Sequence, residues 1–408
     1  MPDATTLVAA PLPAAAPAAA RAVLALLRRL QVGTLDLQLP DGSLLHFGRA
    51  RPGAPAASLR LQNWQLCQAA LRHGDIGVAE SYIAGDWTTP DLAALLRLAL
   101  ANRTVIERLV YGTWWGNLLH RLRHGLRRNS RAGSRRNIHA HYDLGNAFYR
   151  LWLDPTMTYS SAWFAGDRTQ DTASAQRAKM QRALHEAGVQ PGSRLLEIGC
   201  GWGGLAECAA RDFGAQVTGL TLSAEQLAFG RQRLADAGLA GRAELRFQDY
   251  RDLADGPYDA IVSIEMFEAV GRAYWPDFFR TVHARLRPGG RACIQTITID
   301  DALFDRYVGG TDFIQQYIFP GGLLPSPAAF RAAARAAGLE VVRELAFGGD
   351  YAETLRRWRH DFLRQEAQVR GQGFDTRFLR TWEFYLAYCE SGFDSGATDV
   401  LQFTLRRP

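Results

Sequence analysis

One stretch constrains the fold more than any other: a short apolar run that passes directly into a glycine-rich turn. The run is Leu195-Leu196-Glu197-Ile198, and the turn is Gly199-Cys200-Gly201-Trp202-Gly203-Gly204. Glycine lets the backbone take positive φ and approach a ligand closely. In open α/β sheets, ligands bind beyond the carboxyl ends of the strands. The stretch therefore predicts a strand, a cofactor-binding turn and a helix, in that order.

The residues around this turn alternate between strand and helix patterns. Predicted strands are Arg194–Ile198, Gln216–Leu220, Glu244–Phe247, Tyr258–Ser263 and Arg291–Thr296, with helical patterns near 203–213, 223–237 and 273–286. This order is typical of an α/β protein with a doubly wound, mostly parallel sheet. Val400–Leu405 alternates between apolar and polar side chains and predicts an additional edge strand.

The length of 408 residues predicts two domains. Leu35–Leu39 alternates like a strand and Pro40-Asp41-Gly42 has the composition of a turn, which favours a smaller α+β domain before the α/β domain. We predict a disordered leader and first helix (1–30), an N-terminal domain (31–115), a basic linker (116–137) and an α/β catalytic domain (138–408).

The charge of the chain favours an anionic partner, since the net charge is +6 and the pI about 9.2. The linker contains seven arginines and no acid: Arg121, Arg123, Arg127, Arg128, Arg131, Arg135 and Arg136. A solvated linker would explain the run, and so would contact with an anionic membrane surface. In the second case each arginine would contribute up to ~1 kcal/mol of binding free energy. Nucleic acid is a weaker interpretation, because no recognisable nucleic-acid module accompanies the run. We expect no nucleic-acid partner.

No stretch reaches the ~20 apolar residues that span a bilayer, so we expect membrane contact to be peripheral. Residues 8–27 lack the positive start of a signal peptide, since Asp3 is the only early charge. The five cysteines, Cys67, Cys200, Cys208, Cys293 and Cys389, show neither metal-ligand spacing nor a disulfide framework. We expect a cytoplasmic protein at the inner membrane face, without a metal site.

Two classes of ligand compete for the glycine turn. A dinucleotide site would show G-x-G-x-x-G with an acid about 20 residues later, whereas here Glu197 stands directly before Gly199. A carboxylate at this place suits a cationic ligand with an amine and a sulfonium better than a pyrophosphate. The next strand ends at Thr221-Leu222-Ser223, without the acid that would hold the ribose of NAD.

A third strand end supports the cationic ligand. Asp249 is placed to accept a hydrogen bond from an adenine amino group, and Tyr250 to pack against the ring. The glycine turn, Thr221–Gln226 and Asp249 at successive strand ends together predict S-adenosylmethionine and methyl transfer. The alternative is a sheet that uses glycine turns for structural reasons and binds no cofactor.

Motifs along most of the chain resemble the cyclopropane fatty acid synthase family, which includes the mycolic acid methyltransferases. The resemblance covers roughly residues 30–408 and rests on His141–Asn146, Leu153–Trp163, Gly199–Gly204, Met266–Glu268, Tyr317–Gly322 and, in the first domain, Ala79–Trp87. It implies a class I methyltransferase with a Rossmann-like, seven-stranded sheet around a hydrophobic acyl tunnel. It also implies a first domain that helps to grip lipid, and it is compatible with a homodimer.

The resemblance also implies the cofactor-binding positions. They are Tyr159, Ser160, Gly199, Cys200, Gly201, Thr221, Leu222, Ser223, Gln226, Tyr250 and Arg251, in addition to Glu197 and Asp249. The implied acceptor is a double bond in an unsaturated acyl chain of a membrane phospholipid. Methyl transfer leaves positive charge on that chain, which negative charge and π faces would stabilise.

A base must then remove a proton, and family members typically hold a bicarbonate ion for this step. Loss of a proton from the new methyl closes a cyclopropane, and loss elsewhere gives a methylene or shifted alkene. The corresponding bicarbonate positions are Ser161, Glu268, Gln295, Ile297 through its backbone, and Tyr351. The family usually has cysteine at position 161, histidine at 269 and histidine at 295. This chain has Ser161, Ala269 and Gln295 there. These departures put cyclopropane formation in doubt, but not methyl transfer.

Each candidate catalytic residue has a structural alternative. Glu268 would serve equally as a helix-start carboxylate, Tyr351 as a loop aromatic and Gln295 as a satisfied buried amide. Cys389 matches a family cysteine once proposed as a nucleophile, but its helical spacing with Phe378, Trp382 and Tyr385 predicts a buried, unactivated thiol. Three further apolar residues at helical spacing suit either a core or a tunnel wall: Leu355, Trp358 and Phe362.

Three functions remain open from the sequence. The first is methylation of unsaturated phospholipid acyl chains. The second is methylation of a small amine on the same fold, against which Ala269 counts, because such enzymes tend to keep an acid–histidine pair. The third is a non-catalytic lipid-binding protein derived from the family.

Overall fold

The computed structural model describes residues 16–110 and 144–408, with the backbone alone for 107–110. The predicted leader up to residue 15, the basic linker and the start of the His141–Asn146 motif lie outside the described residues. The chain divides into two compact units, Met1–Leu119 with Thr376–Ser391 and His120–Asp375 with Gly392–Pro408. Sequence patterns kept 376–391 within the second domain, whereas the structure groups them with the first.

The first unit combines a small mixed sheet with helices. Its strands are β1 (Gly33–Gln38), β2 (Leu44–Arg49), β3 (Ala56–Leu61) and β4 (Trp87–Thr88), in the order β2-β1-β3-β4. Its helices are α1 (Ala18–Leu27), α2 (Gln65–Ala84), α3 (Leu92–Ala101) and α4 (Arg103–Val110). The predicted first helix within 1–30, the strand near 35–39 and the turn at 40–42 are confirmed; Gly42 takes a φ of +87° there.

Two polar side chains join these elements. The buried Asn102 side chain accepts from the backbone N–H groups of Gln31 and Val32 and donates to the carbonyls of Val32 and Leu98. The indole of Trp87, fully buried, donates to the Ser81 hydroxyl at 2.9 Å. Satisfied polar groups of this kind cost little to bury, whereas an unpaired one costs about 1–3 kcal/mol.

The second unit is built on a seven-stranded sheet. Its strands are β5 (Arg194–Ile198), β6 (Gln216–Thr221), β7 (Ala243–Phe247), β8 (Tyr258–Ile264), β9 (Leu286–Ile299), β10 (Glu340–Ala346) and β11 (Thr398–Arg406). The order is β10-β11-β9-β8-β5-β6-β7, and β9, β8, β5, β6 and β7 run parallel. All five predicted strands and the doubly wound sheet are confirmed.

The prediction that Val400–Leu405 forms an edge strand is wrong about its position in the sheet. Residues Thr398–Arg406 do form a strand, but β11 lies antiparallel between β9 and β10, inside the sheet. Its polar residues Gln402 and Thr404 are each 1% exposed, so the alternation does not mark a solvent face. These side chains are buried because other groups satisfy them: Gln402 donates to Gln295, and Thr404 donates to Glu186.

Helices of the second unit follow its strands. They are α5 (Asn146–Tyr149), α6 (Thr172–Glu186), α7 (Gly204–Asp212), α8 (Ala224–Asp236), α9 (Trp275–Arg285), α10 (Asp301–Val308), α11 (Pro327–Ala336), α12 (Gly348–Arg364), α13 (Glu366–Gly371) and, across the division between units, α14 (Thr376–Asp394). The three helical patterns near 203–213, 223–237 and 273–286 correspond to α7, α8 and α9.

Both faces of the sheet are covered by apolar side chains. Along β5, Leu195 joins one core with residues of α6, α7 and α8, while Leu196 and Ile198 join the other with α9 and α11. Successive side chains of a strand point to opposite faces, so a continuous apolar strand must be buried on both sides. Each fully buried Leu or Ile contributes roughly 1.5–3 kcal/mol. Within the described part of the chain, no helix combines the length and apolar character needed to cross a membrane.

Candidate active site

The glycine turn leaves the carboxyl end of β5 and starts α7. Gly199, Gly201 and Gly203 all have positive φ, at +87°, +50° and +80°, and Gly203 is the N-cap of α7. A Cβ on Gly199 would lie 2.8 Å from the side chain of Met266, so only glycine fits. A Cβ on Gly201 would meet nothing within 4 Å, so the turn is open on that side, where a ligand would approach.

Glu197 is the buried acid before this turn. Its side chain is 3% exposed, and its Oε2 has no hydrogen-bond partner within residues 16–110 and 144–408. Burial raises the pKa of Glu197 to about 8, and the charge of Lys179 acts in the opposite direction. A buried carboxylate with a free oxygen fits a cationic ligand, which would return the group to its charged form. The predicted S-adenosylmethionine therefore suits this place.

At the end of β6, the predicted cofactor residues form a compact polar start to α8. Ser223 is the N-cap, and its hydroxyl accepts from the Gln226 N–H at 3.2 Å. Thr221 Oγ1 donates to Gln226 Oε1 at 3.1 Å and accepts from the Ser223 N–H. Leu222 is partly buried between them. The hydrogen bonds hold the Gln226 side chain at the strand end next to the glycine turn.

At the end of β7, Asp249 and Arg251 form an ion pair. Both Asp249 oxygens accept from the Arg251 side chain, at 2.9 and 2.6 Å, and Oδ1 also accepts from the Arg251 N–H. The Tyr250 ring packs edge-on against Phe278, with the Arg251 guanidinium 5.7 Å from its centroid. A carboxylate oxygen has further lone pairs, so the predicted contact of Asp249 with an adenine stays a prediction.

The loop before α6 brings Tyr159 and Ser160 to the same edge. The Tyr159 ring lies 5.5 Å from Trp152, 5.5 Å from Tyr149 and 5.4 Å from Trp358, in a wall of aromatic side chains. Such rings present π faces toward a positive charge. Leu355, Trp358 and Phe362 are all buried along one face of α12, and whether they also line an acyl tunnel stays a prediction.

Lys179 on α6 is a site residue that sequence reasoning missed. It is fully buried, and its Nζ donates to Ser160 Oγ at 2.5 Å. Burial lowers the pKa of Lys179 to about 8, against the charges of Glu265, Asp154 and Glu197, which raise it. A signal was present: Lys179 is the only lysine among 47 lysines and arginines. A chain that otherwise uses arginine keeps a compact point charge at this one place.

The predicted bicarbonate residues converge on a carboxylate of the protein itself. Oε1 of Glu265, directly after β8, accepts from the Ser161 N–H at 2.9 Å and from Gln295 Nε2 at 2.7 Å. Oε2 of Glu265 accepts from the Tyr351 hydroxyl at 2.7 Å. Sequence reasoning missed Glu265, although it stands three residues before Glu268. The bicarbonate ion itself stays a prediction.

Glu268 and Ile297 contact each other beside this group. The Ile297 N–H donates to Glu268 Oε1, while Oε2 is buried without a hydrogen-bond partner in the described chain. Burial raises the pKa of Glu268 to about 8, with a further contribution from the charge of Glu265. Two carboxylates near each other rarely ionise together, so one of the pair holds a proton.

Cys389 and the other predicted catalytic residues are assigned to different units of the chain. Cys389 belongs to the first unit, whereas Glu268, Tyr351, Ser161 and Gln295 belong to the second. Its side chain is partly exposed, so the predicted buried thiol is wrong. On the helical face that it shares with Phe378, Trp382 and Tyr385, the middle two residues are buried, whereas Phe378 and Cys389 are only partly buried.

Fold and turn together define the class. The sheet is seven-stranded and mostly parallel, and the glycine turn follows the middle one of its five parallel strands, next to a buried acid with an unsatisfied oxygen. This arrangement is that of a class I S-adenosylmethionine-dependent methyltransferase. The sequence profile described as Mycolic acid cyclopropane synthetase matches residues 129–403. The chain belongs to this family, and the resemblance noted from the motifs is confirmed.

Relatives and solved structures agree with this assignment. The chain is 43% identical over 402 residues, 96% of this chain and 92% of the relative, to the tuberculostearic acid methyltransferase UfaA1 of Mycobacterium tuberculosis. It is 33% identical over 382 residues, 89% and 91% of the two chains, to the cyclopropane-fatty-acyl-phospholipid synthase of Escherichia coli K12. A solved structure of the mycolic acid cyclopropane synthase CmaA1, complexed with SAH and CTAB, matches 66% of this chain and 97% of its own at 35% identity, with a TM-score of 0.62.

Proposed function

We propose that this enzyme transfers a methyl group from S-adenosylmethionine to the double bond of unsaturated acyl chains in membrane phospholipids. The observation that carries the proposal is the pair of enclosed carboxylates, Glu265 and Glu268, next to the glycine turn and to Tyr351. This combination of negative charge and aromatic faces suits a cation that develops on a hydrocarbon chain. The names of the two relatives, which concern a fatty acid and a fatty acyl phospholipid, support the same acceptor class.

The cofactor would be held by residues at three strand ends. The residues that would hold it are the glycine turn at Gly199, Cys200 and Gly201, the strand ends Thr221–Gln226 and Asp249–Arg251, and Tyr159 with Ser160. Glu197 would supply negative charge to the cationic cofactor. Bound there, the sulfonium supplies the methyl group as an electrophile.

The protein's own part is alignment, exclusion of water and stabilisation of charge. An alkene is a weak nucleophile, so the rate depends on holding it against the methyl donor in a dry site. The aromatic wall of Tyr159, Trp152 and Trp358 would exclude water there. The negative charge shared by Glu265 and Glu268 would stabilise the cation left on the chain, and a base would then take a proton.

Contact with the membrane is part of the proposal. We propose peripheral binding at an anionic inner membrane face through the basic linker at 116–137, which lies outside the described residues. The seven arginines there would each add up to ~1 kcal/mol at low salt. A homodimer stays a prediction from the family resemblance.

The product depends on which proton leaves. Loss from the added methyl gives a cyclopropane directly, or a methylene group if a hydride shift first moves the cation to the carbon that bears the methyl, and loss from a neighbouring chain carbon gives a methyl-branched, shifted alkene. Ser161, Ala269 and Gln295 differ from the family's usual residues, so the proposal extends to the double bond as acceptor and leaves the product to mass spectrometry.

The test uses the full-length protein, methyl-labelled cofactor and vesicles of unsaturated or fully saturated anionic phospholipid. We expect label in the lipid fraction from the unsaturated vesicles only, and a gain of 14 mass units in the acyl chain. Fragmentation would locate the added carbon and identify the product. Cofactor binding measured by calorimetry serves as the control for an intact site. Protein that binds the cofactor but labels no unsaturated lipid would contradict the proposal, and label in a small amine alone would favour N-methylation.

A further inference from the structure

Glu265 has a backbone conformation that few residues accept. It follows the last residue of β8 with a φ of +49°, one of three non-glycine residues with positive φ among the described residues. Its N–H donates to the Gln295 carbonyl at 2.8 Å, which ties the strained residue to β9. Left-handed backbone at a non-glycine residue is strained and is retained chiefly at functional sites. At Glu265 it occurs beside a side chain that accepts three hydrogen bonds.

Three separate parts of the second unit supply donors to this carboxylate. The Ser161 N–H comes from the loop before α6, Gln295 from β9 and the Tyr351 hydroxyl from α12, all within 2.9 Å. The Gln295 amide is itself oriented, since its Oε1 accepts from Gln402 Nε2 at 3.0 Å. Three donated hydrogen bonds favour an ionised carboxylate. They also hold it in one position.

The charges around Glu265 separate its role from that of Glu268. Burial raises the pKa of Glu265, whereas Lys179 and the three donors act in the opposite direction. Glu268 accepts a hydrogen bond from the Ile297 N–H, the Thr296 side chain also lowers its pKa, and the charge of Glu265 raises it. Because Glu265 accepts hydrogen bonds from three donors, negative charge on the pair is better stabilised on Glu265 than on Glu268.

We propose that the Glu265 carboxylate is the general base that removes the proton from the methylated acyl chain, in the position where a bound anion would otherwise be needed. This inference rests on the proposed function, because it concerns the same acceptor. Ser161, Gln295 and Tyr351, the donors that an anion would use, are already occupied by Glu265. The enzyme would then need no external bicarbonate.

The step balances without a further reactant. Methyl transfer forms a carbon–carbon bond, breaks the bond from sulfur to methyl and leaves a cation on the acyl chain. Glu265 takes a proton from the new methyl or from a neighbouring carbon, and the electron pair of that C–H bond closes a ring or forms an alkene. The protonated Glu265 then returns its proton to solvent, and the titratable groups that face it are Tyr351, Lys179 and Glu268.

Two variants separate the charge of Glu265 from its shape. Glu265→Gln keeps the size of the side chain but removes the base. Glu265→Gly removes the side chain, and glycine accepts the positive φ without strain, so this variant is expected to fold. The matched control is Glu366→Gln, an exposed carboxylate on α13 paired with Arg370.

Lipid labelling is measured in buffer freed of carbon dioxide, with and without added bicarbonate or formate. We expect the wild type and Glu366→Gln to be equally active in both conditions. Both Glu265 variants should lose about 10²–10⁴-fold, the usual contribution of a general base. Bicarbonate or formate should restore Glu265→Gly at least tenfold, because the three donors remain, and should not restore Glu265→Gln. A structural role alone would not give this selective rescue.

Binding of ¹³C-labelled bicarbonate, followed by NMR line broadening, gives a second readout that needs no turnover. We expect binding to Glu265→Gly and none to the wild type. A wild type that binds bicarbonate or labels lipid only when bicarbonate is added overturns the role of Glu265 while leaving the proposed function intact. So does a Glu265→Gly variant that keeps more than a tenth of the activity without an anion. A wild type that labels no lipid at all contradicts the proposed function instead.

Discussion

Replacing Glu197 by glutamine removes the acid that stands directly before the glycine turn. In the structure its carboxylate is buried, one oxygen has no partner in the described chain, and burial raises its pKa to about 8. At pH 7 the ligand-free protein therefore holds this group mainly neutral. A cationic cofactor would favour the ionised form, so binding at pH 7 should release a proton from Glu197.

The magnitude follows from the pKa. One pH unit below a pKa of about 8, ionising the group costs about 1.4 kcal/mol, or tenfold in affinity. Wild-type affinity for S-adenosylmethionine should thus rise about tenfold between pH 7 and pH 9 and then level off. Glu197→Gln removes a hydrogen bond to a charged group, which is worth roughly 1.5–3 kcal/mol. At pH 9 we expect the variant to bind about 10- to 150-fold more weakly, with a smaller difference at pH 7.

Titration calorimetry in two buffers of different ionisation enthalpy measures both the affinity and the proton released. Any dependence of the affinity on pH that remains in the glutamine variant belongs to other groups, including Lys179 and the amine of the cofactor. The difference in pH dependence between the two proteins therefore isolates Glu197. Glu207→Gln, which removes a carboxylate from the first turn of α7, is the matched control. An affinity of the wild type that does not change between pH 6.5 and 9, or a variant with the same slope as the wild type, would refute the reasoning.

Three further predictions concern stability. Because the pKa of Glu197 is raised above its ordinary 4.5, the ligand-free wild type should lose stability as pH rises from about 4.5 to 8; Glu197→Gln should raise the melting temperature at pH 9 and leave it nearly unchanged at pH 4. Gly199→Ala should cost more free energy of unfolding than Gly188→Ala, in urea titrations: both have positive φ, worth about 1–2 kcal/mol, but only at Gly199 does a Cβ also collide. Because burial lowers the pKa of Lys179 from 10.5 to about 8, the stability of the wild type should rise between about pH 8 and 10.5, and Lys179→Met should lack this rise. Equal losses at the two glycines, or a rise with pH that persists in Lys179→Met, would count against these arguments.

Much of the second unit was predictable because its signals are local. An apolar strand, a glycine turn and a helical pattern each depend on a few neighbouring residues, so β5 to β8 and α7 to α9 were placed close to their observed bounds, and β9 was found but is longer than predicted. The cofactor positions from Glu197 to Gln226 follow from the same logic, since the carboxyl ends of parallel strands meet at one edge of the sheet. Motif resemblance added the acceptor class and the positions of Ser161, Gln295 and Tyr351.

The placement of β11 could not be read from its own residues. Its alternating pattern indicated an edge strand, but Gln402 and Thr404 are buried because partners from β9 and α6 satisfy them. Burial of a polar group depends on whether distant parts of the chain supply a hydrogen bond. No local pattern contains that information.

Sequence alone determined the class of fold, the cofactor turn and the type of ligand charge that suits it, because these depend on contiguous residues and on strand order. Only the tertiary structure decided what the predicted bicarbonate-binding residues contact. Ser161, Gln295 and Tyr351 lie far apart in the chain, and they meet at a carboxylate that the motifs did not mark. Glu265 and Lys179 gain their importance from burial beside each other, and a shift in pKa is a property of the surroundings that folding creates.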